Sequence, residues 1–246
     1  MERRRAGIGR MFSVLSWLGL HQLSVLLSVA ALSAGIWIFI ELADEVVEQE
    51  TIGVDEALLL SLRSAGDISD PLGPAWVEEM GRDFTALGSI GVLTLITAAA
   101  IGYLLLARRM RTSLFTLVAV SGGMLLSTLL KIRFDRARPD LVPHESTVYT
   151  ASFPSGHSMM AAVTYLTLAA ILGRVHSSPL LKAYLLIVAG FITVLVGVSR
   201  VYLGVHWPTD VLAGWAAGAA WAAFCWLAAR WMQHRQMVEA PDQNGP

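Results

Sequence analysis

Eight residues with chemical potential fall in three short stretches of the chain: KIRFDRARP (131–139), PSGH (154–157) and SRVYLGVHWPTD (199–210). As patterns they read KxxxxxxRP, PSGH and SRxxxxxHxxxD, in that order. Together they supply three cations (Lys131, Arg138, Arg200), two imidazoles (His157, His206), the Ser155 hydroxyl, the Asp210 carboxylate and the bare Gly156 backbone. That is an inventory for gripping a phosphate and cleaving its ester bond. Arginine presents a planar fork matched to phosphate oxygens, and lysine acts as a point charge. Such a clamp stabilises charge on a transferring phosphoryl group without a metal, and no histidine or acid cluster has the spacing of a metal site. Ser155, Gly156 and His157 follow Pro154 and are expected to begin a helix, whose first amides are unpaired and make an anion seat. Gly156 would let a phosphate approach the backbone, and Ser155 would either donate to it or act as a plain N-cap. Pro208 suits the first position of a further helix. His206 then sits at its start with Asp210 one turn inside. A carboxylate on one imidazole nitrogen fixes the tautomer and leaves the other free to attack.

Each fragment alone is weak, but the three in order resemble the type 2 phosphatidic acid phosphatase superfamily of membrane lipid phosphatases. The motifs cover 131–210, and the helical layout extends the resemblance to most of the chain. The resemblance implies that His206 is a nucleophile forming a phosphohistidine and that Asp210 orients it. It makes His157 the general acid on the leaving group, then the general base for water. Lys131, Arg138, Ser155, Gly156 and Arg200 become phosphate ligands, with no metal or other cofactor. The implied substrate is a lipid phosphomonoester or pyrophosphate, such as undecaprenyl pyrophosphate, phosphatidylglycerol phosphate or phosphatidic acid, and not a nucleic acid. A transferase passing the phosphoryl group to an alcohol is the alternative enzyme. The vanadium haloperoxidases share the anion site, but membrane burial argues against them. A channel or anion-binding protein would make the His–Asp pair incidental.

The elements that must position these residues are membrane helices. The chain has 246 residues and is 55% hydrophobic, with a mean hydropathy of +0.58. That is one domain of ordinary size, too apolar for most soluble proteins of its length. Stretches near 20 apolar residues cross a bilayer as helices. Six are expected, at 20–40, 86–106, 113–130, 155–173, 183–203 and 209–229, giving an all-α integral membrane protein with an outer segment at 41–85 and a catalytic loop at 131–154. The first residues have the basic-then-apolar order of a signal peptide. Their apolar run continues to Ile40, beyond the roughly 7–15 residues of a cleavable core, so an uncleaved span is expected. Gly, Ser and Thr in the third to fifth spans suit close packing in lipid.

Orientation follows from Arg3, Arg4, Arg5 and Arg10 before the first span, and from Arg108, Arg109 and Arg111 after the second. Arg174 and Lys182 follow the fourth, and Arg230 and Arg235 the sixth. The positive-inside rule makes these segments cytoplasmic, with both termini inside. The segment from Glu41 to Asp83 holds twelve acids against Arg63 and Arg82, which agrees with an outer position. Within it Val54–Leu62 and Pro74–Met80 are expected as short surface helices. Lys131, Arg133, Arg136 and Arg138 break the pattern, because they lie on the outer side, and anion binding explains them. Arg133 and Arg136 fall outside the motif positions and are assigned to snorkelling at the interface. Four cations in one loop exceed what a monoester needs, which favours a pyrophosphate, and an isoprenoid pyrophosphate first. His144 is expected to be a solvated loop residue, and Cys225 a small buried hydrophobe. Short loops point to a bacterial inner membrane with the site facing the periplasm. Oligomeric state is open.

Overall fold

The computed structural model describes residues 2–143, 150–175, 178–235, 237 and 239. Its helices are α1 (Glu2–Val47), α2 (Ile52–Leu60), α3 (Ala75–Ala86), α4 (Ile90–Leu106), α5 (Met110–Arg133), α6 (Gly156–Ala161), α7 (Thr167–Val175), α8 (Pro179–Tyr202) and α9 (Pro208–His234). A π turn at Ala162–Leu166 joins α6 to α7. Among the described residues, five helical stretches are long and apolar enough to cross a membrane: Gln22–Val47, Met110–Arg133, Gly156–Gly173, Pro179–Tyr202 and Pro208–Gln233. The bent pair α3–α4 makes a sixth if it counts as one span. Large apolar side chains such as Leu26, Trp37, Leu95, Ile187 and Phe191 stand exposed around the bundle, as lipid contact requires.

The innermost span is Gly156–Gly173, with 61% of its residues buried against 6% of an apolar 18-residue stretch within Gln22–Val47. Small residues let its neighbours close in. A Cβ at Gly218 of α9 would lie 2.6 Å from the Met159 carbonyl oxygen, and one at Gly214 would lie 2.8 Å from that of Ser155. Indole N–H groups find partners inside the bundle: Trp215 Nε1 donates to Thr193 O at 3.0 Å and Trp221 Nε1 to Ala119 O at 2.8 Å. Ser89, Ser155 and Ser178 cap α4, α6 and α8 through their hydroxyl oxygens.

The structure departs from the expected spans in two places. Helix α1 runs past Ile40 to Val47, because Ala43 and Val46 continue its buried face against Phe153 and Ala213 while Glu41 and Asp44 stay exposed. The second span is bent by 51° between Ala86 and Ile90. At the bend a Cβ on Gly88 would lie 2.5 Å from Val196 Cγ1 and 3.2 Å from the His157 carbonyl oxygen, so the chain turns where no side chain fits. The segment expected on the outer side does contain two short helices, α2 and α3, near the positions expected. It also holds a two-stranded antiparallel ribbon, Arg63–Ser64 with Asp67–Pro71. Its turn is tied by the Asp67 carboxylate, which accepts from the Ser69 amide at 2.8 Å and from the Ser69 hydroxyl at 2.6 Å.

Candidate active site

Lys131 closes α5, Ser155 and Gly156 open α6, Arg200 lies in the last turn of α8, and Asp210 lies in the first turn of α9. Four helix ends thus meet at one end of the bundle, and all eight residues picked out by their spacing belong to that end. Pro208 starts α9 and leaves His206 in the short turn between α8 and α9, where it is fully buried.

The centre of the cluster is a line of three side chains. Arg138 Nη1 lies 3.1 Å from His206 Nε2, and His206 Nδ1 lies 3.3 Å from Asp210 Oδ2. Arginine has donors only, so Nε2 must accept and the ring proton sits on Nδ1. Ser152 donates its hydroxyl proton to Asp210 Oδ2 and lies 3.4 Å from His206 Nδ1, where only its lone pairs face the ring. The Trp207 amide donates to the same carboxylate oxygen at 2.9 Å. Burial pushes the His206 imidazole down to about 3, beyond what the Asp210 hydrogen bond and charge restore, and the Arg138 and Arg200 charges push the same way. The ring is therefore neutral at ordinary pH. Burial also holds the Arg138 guanidinium below its usual range, opposed by the Asp210 charge.

The cations converge from three directions. Lys131 Nζ donates to Ala151 O at 2.7 Å, and Arg138 Nη2 reaches the same carbonyl at 3.4 Å. Arg138 also donates through Nη1 to Val205 O at 2.6 Å and through Nε to Thr150 O at 2.8 Å. Arg200 is 1% exposed; its Nη1 donates to Thr85 Oγ1 of α3 at 2.8 Å, and its Nε has no hydrogen-bond partner among the described residues. A Cβ at Gly156 would lie 3.0 Å from Lys131 Cε, so glycine lets the lysine pack against the helix start without shifting. Ser155 is fully buried; its hydroxyl oxygen accepts from the Ser158 amide at 3.5 Å, which is the N-cap bond, and from the Ser158 hydroxyl at 2.9 Å. Both bonds use its lone pairs and leave the Ser155 proton to donate. The His157 ring feels the charges of Arg200, Lys131 and Arg138.

Two residues escaped the sequence reading or were misassigned by it. Arg136 is not a snorkelling cation. Its Nη1 donates to Asp210 Oδ1 at 2.7 Å, and its Nη2 to Asp55 Oδ2 of α2 at 2.7 Å. Asp55, one of the twelve acids between Glu41 and Asp83, is 0% exposed. A faint signal existed in Asp55, an acid beside the apolar run of α2, but its partner lies 81 residues away. His144 and His176 lie outside the described residues. Cys225 is buried, as expected.

A multi-span bundle carrying this polar cluster at one end defines a class, the membrane-embedded phosphatases. Residues 112–234 match the PAP2 superfamily, and this stretch contains every site residue named from the motifs. The chain is 42% identical over 149 residues to phosphatidylglycerophosphatase B of Bacillus subtilis, covering 58% of this chain and 70% of that protein. It is 33% identical over 171 residues to lipid A 1-phosphatase of Rhizobium etli, covering 59% and 68%. The crystal structure of a transmembrane PAP2-type phosphatidylglycerolphosphate phosphatase from Bacillus subtilis superposes with a TM-score of 0.71 at 30% identity, covering 83% of this chain and 96% of that one. The chain belongs to the PAP2 superfamily and is a phosphatase.

Proposed function

We propose that the chain hydrolyses the phosphate ester or pyrophosphate of a membrane lipid through a phosphohistidine on His206. The observation that carries this is the Arg138–His206–Asp210 line, which orients the buried imidazole with its proton on Nδ1 and its lone pair on Nε2. In the first half-reaction Nε2 attacks phosphorus, the bond to the leaving oxygen breaks, and His157 gives that oxygen a proton. The ring then carries positive charge, which the Asp210 carboxylate beside Nδ1 stabilises. In the second, His157 takes a proton from water, the water oxygen attacks phosphorus, and the P–N bond breaks to release inorganic phosphate. Lys131, Arg138 and Arg200 balance charge on the transferring group. At rest the first two donate to backbone carbonyls, and charged phosphate oxygens are stronger acceptors.

Placement supports a lipid. The ends of α1, α5 and α8 and the starts of α4, α6 and α9 gather near the site, an alternation that fits six crossings with α3–α4 as one bent span. The distribution of basic residues supports both termini in the cytoplasm and the site at the outer face. A lipid could react there with its chains still in the bilayer, with no transfer of apolar surface into water. Both relatives compared above carry names of lipid phosphatases. The cation count no longer favours a pyrophosphate: Arg136 is committed to Asp55 and Asp210, and Arg133 is exposed over the Phe134 ring.

Purified protein in mixed micelles tests the substrate class. A long-chain lipid phosphate should exceed a short water-soluble ester in kcat/KM by about tenfold or more, about 1.4 kcal/mol of transition-state binding. Equal efficiency would remove the lipid from the proposal. Cysteines at Asp140 and Ala107, in a Cys225→Ala background, should react with an impermeant thiol reagent from opposite sides of the membrane. Labelling of both from one side would remove the six-crossing layout.

A further inference from the structure

Asp55 and Arg136, both outside the motif positions, form a buried ionic triad with Asp210, with both carboxylates 0% exposed and the arginine side chain 12% exposed. We propose that Arg136, anchored by Asp55, is a positioning residue that sets the rotation of the Asp210 carboxylate and through it the tautomer of His206. This rests on the nucleophile assignment above.

A carboxylate turns about its last torsion with little preference, so something must decide which oxygen faces the imidazole. Here Arg136 Nη1 holds Oδ1 at 2.7 Å, while the Trp207 amide and the Ser152 hydroxyl hold Oδ2 on the His206 side. The two nitrogens of the guanidinium act on different carboxylates: Nη1 on Asp210, Nη2 on Asp55 at 2.7 Å and on Thr51 Oγ1 at 3.2 Å. The arginine itself is fixed from three sides. Asp55 grips it, Thr209 Oγ1 accepts from Nη1 at 2.9 Å, and the Trp207 ring lies under it with the guanidinium carbon 5.7 Å from the centroid.

Asp55 does a second thing with the same carboxylate. It accepts from the Thr209 amide at 3.0 Å and from the Thr209 hydroxyl at 2.6 Å. That caps one of the unpaired amides in the first turn of α9, the turn that carries Asp210. Helix α2 of the outer segment therefore reaches the reacting imidazole through two ion pairs, Asp55 to Arg136 and Arg136 to Asp210. Lysine could not replace the fork, because a point charge lacks two divergent donors in one plane.

Asp55→Asn, Asp55→Glu, Arg136→Lys and His206→Ala proteins, each purified and checked for folding by thermal unfolding, test the inference. Asp55→Asn and Arg136→Lys should lower kcat by roughly 10- to 100-fold, the scale of a misplaced catalytic group, with KM little changed because the phosphate cations are untouched. Asp55→Glu should recover part of the loss. The double change Asp55→Asn with Arg136→Lys should cost no more than the worse single, since both act on one carboxylate. If Asp55→Asn fails to fold, Asp55→Glu and Arg136→Lys carry the same kcat-against-KM test. Wild-type kcat in the folded variants, with only the melting temperature lowered, would reduce the triad to a structural tie and overturn the inference. Turnover persisting in His206→Ala would overturn the nucleophile assignment instead.

Discussion

Arg138 and His206 meet through Nη1 and Nε2 at 3.1 Å, a contact in which the arginine can only donate. The nitrogen proposed to attack phosphorus therefore keeps its lone pair at rest, guarded by a cation that is itself a candidate phosphate ligand. An arriving phosphate would draw the guanidinium onto its oxygens and uncover Nε2 in the same movement.

Tautomer control gives the first prediction. Asp210→Asn can turn an amide N–H towards His206 Nδ1, which would drive the ring proton to Nε2 and block attack. The analogous change in a serine protease triad costs about 10⁴-fold in kcat, and a fall of that order is expected here. Ser152→Ala removes one hydrogen bond to the carboxylate, worth about 1.5–3 kcal/mol, and should cost roughly 10- to 100-fold. Steady-state kcat on a lipid phosphate in detergent measures both. A Ser152→Ala loss exceeding that of Asp210→Asn would contradict the ordering.

Much of this site is legible in the chain because its members sit at helix ends marked by proline and serine. Lys131, Ser155, Arg200 and Asp210 occupy the ends that Pro154, Pro208 and the edges of apolar runs announce. Helix α1 overran its expected end because burial of Ala43 and Val46 depends on partners, Phe153 and Ala213, that hydropathy does not reveal. The bend before α4 depends on Val196 and the His157 backbone crowding Gly88, which is equally invisible locally. Asp55 and Arg136 were opaque for the same reason. An ion pair between a helix and a loop 81 residues apart has no periodicity.

Acid sensitivity is the second prediction. The unfolded chain protonates an ordinary histidine below about pH 6.5, whereas folded His206 resists to about 3 because of burial. Between those values the unfolded state binds more protons, so the contribution is fully present above pH 6.5 and is lost as pH falls towards 3. The melting temperature in detergent should drop from pH 7 to pH 5. The drop should shrink in His206→Gln, which has no proton to gain. An equal drop in both would contradict the buried neutral imidazole.

The cation clamp supplies the third. With Lys131, Arg138 and Arg200 carrying the charge of the transferring group, turnover should survive EDTA. Vanadate should inhibit, since its trigonal-bipyramidal form resembles the transition state. Arg138→Ala and Arg200→Ala should weaken vanadate and lower kcat/KM together, by about 10²-fold or more for removal of one transition-state donor. Loss of activity in EDTA with recovery in Mg²⁺ would mean that a metal supplies the charge instead.

The phosphoenzyme is the most direct test. A lipid carrying radiolabelled phosphate, mixed with the enzyme and quenched in alkali within one turnover, should leave label on the peptide containing His206. That label should be acid-labile, as a phosphorus–nitrogen bond is, and absent from His206→Ala. Label on any other residue, or turnover in His206→Ala, would contradict the account.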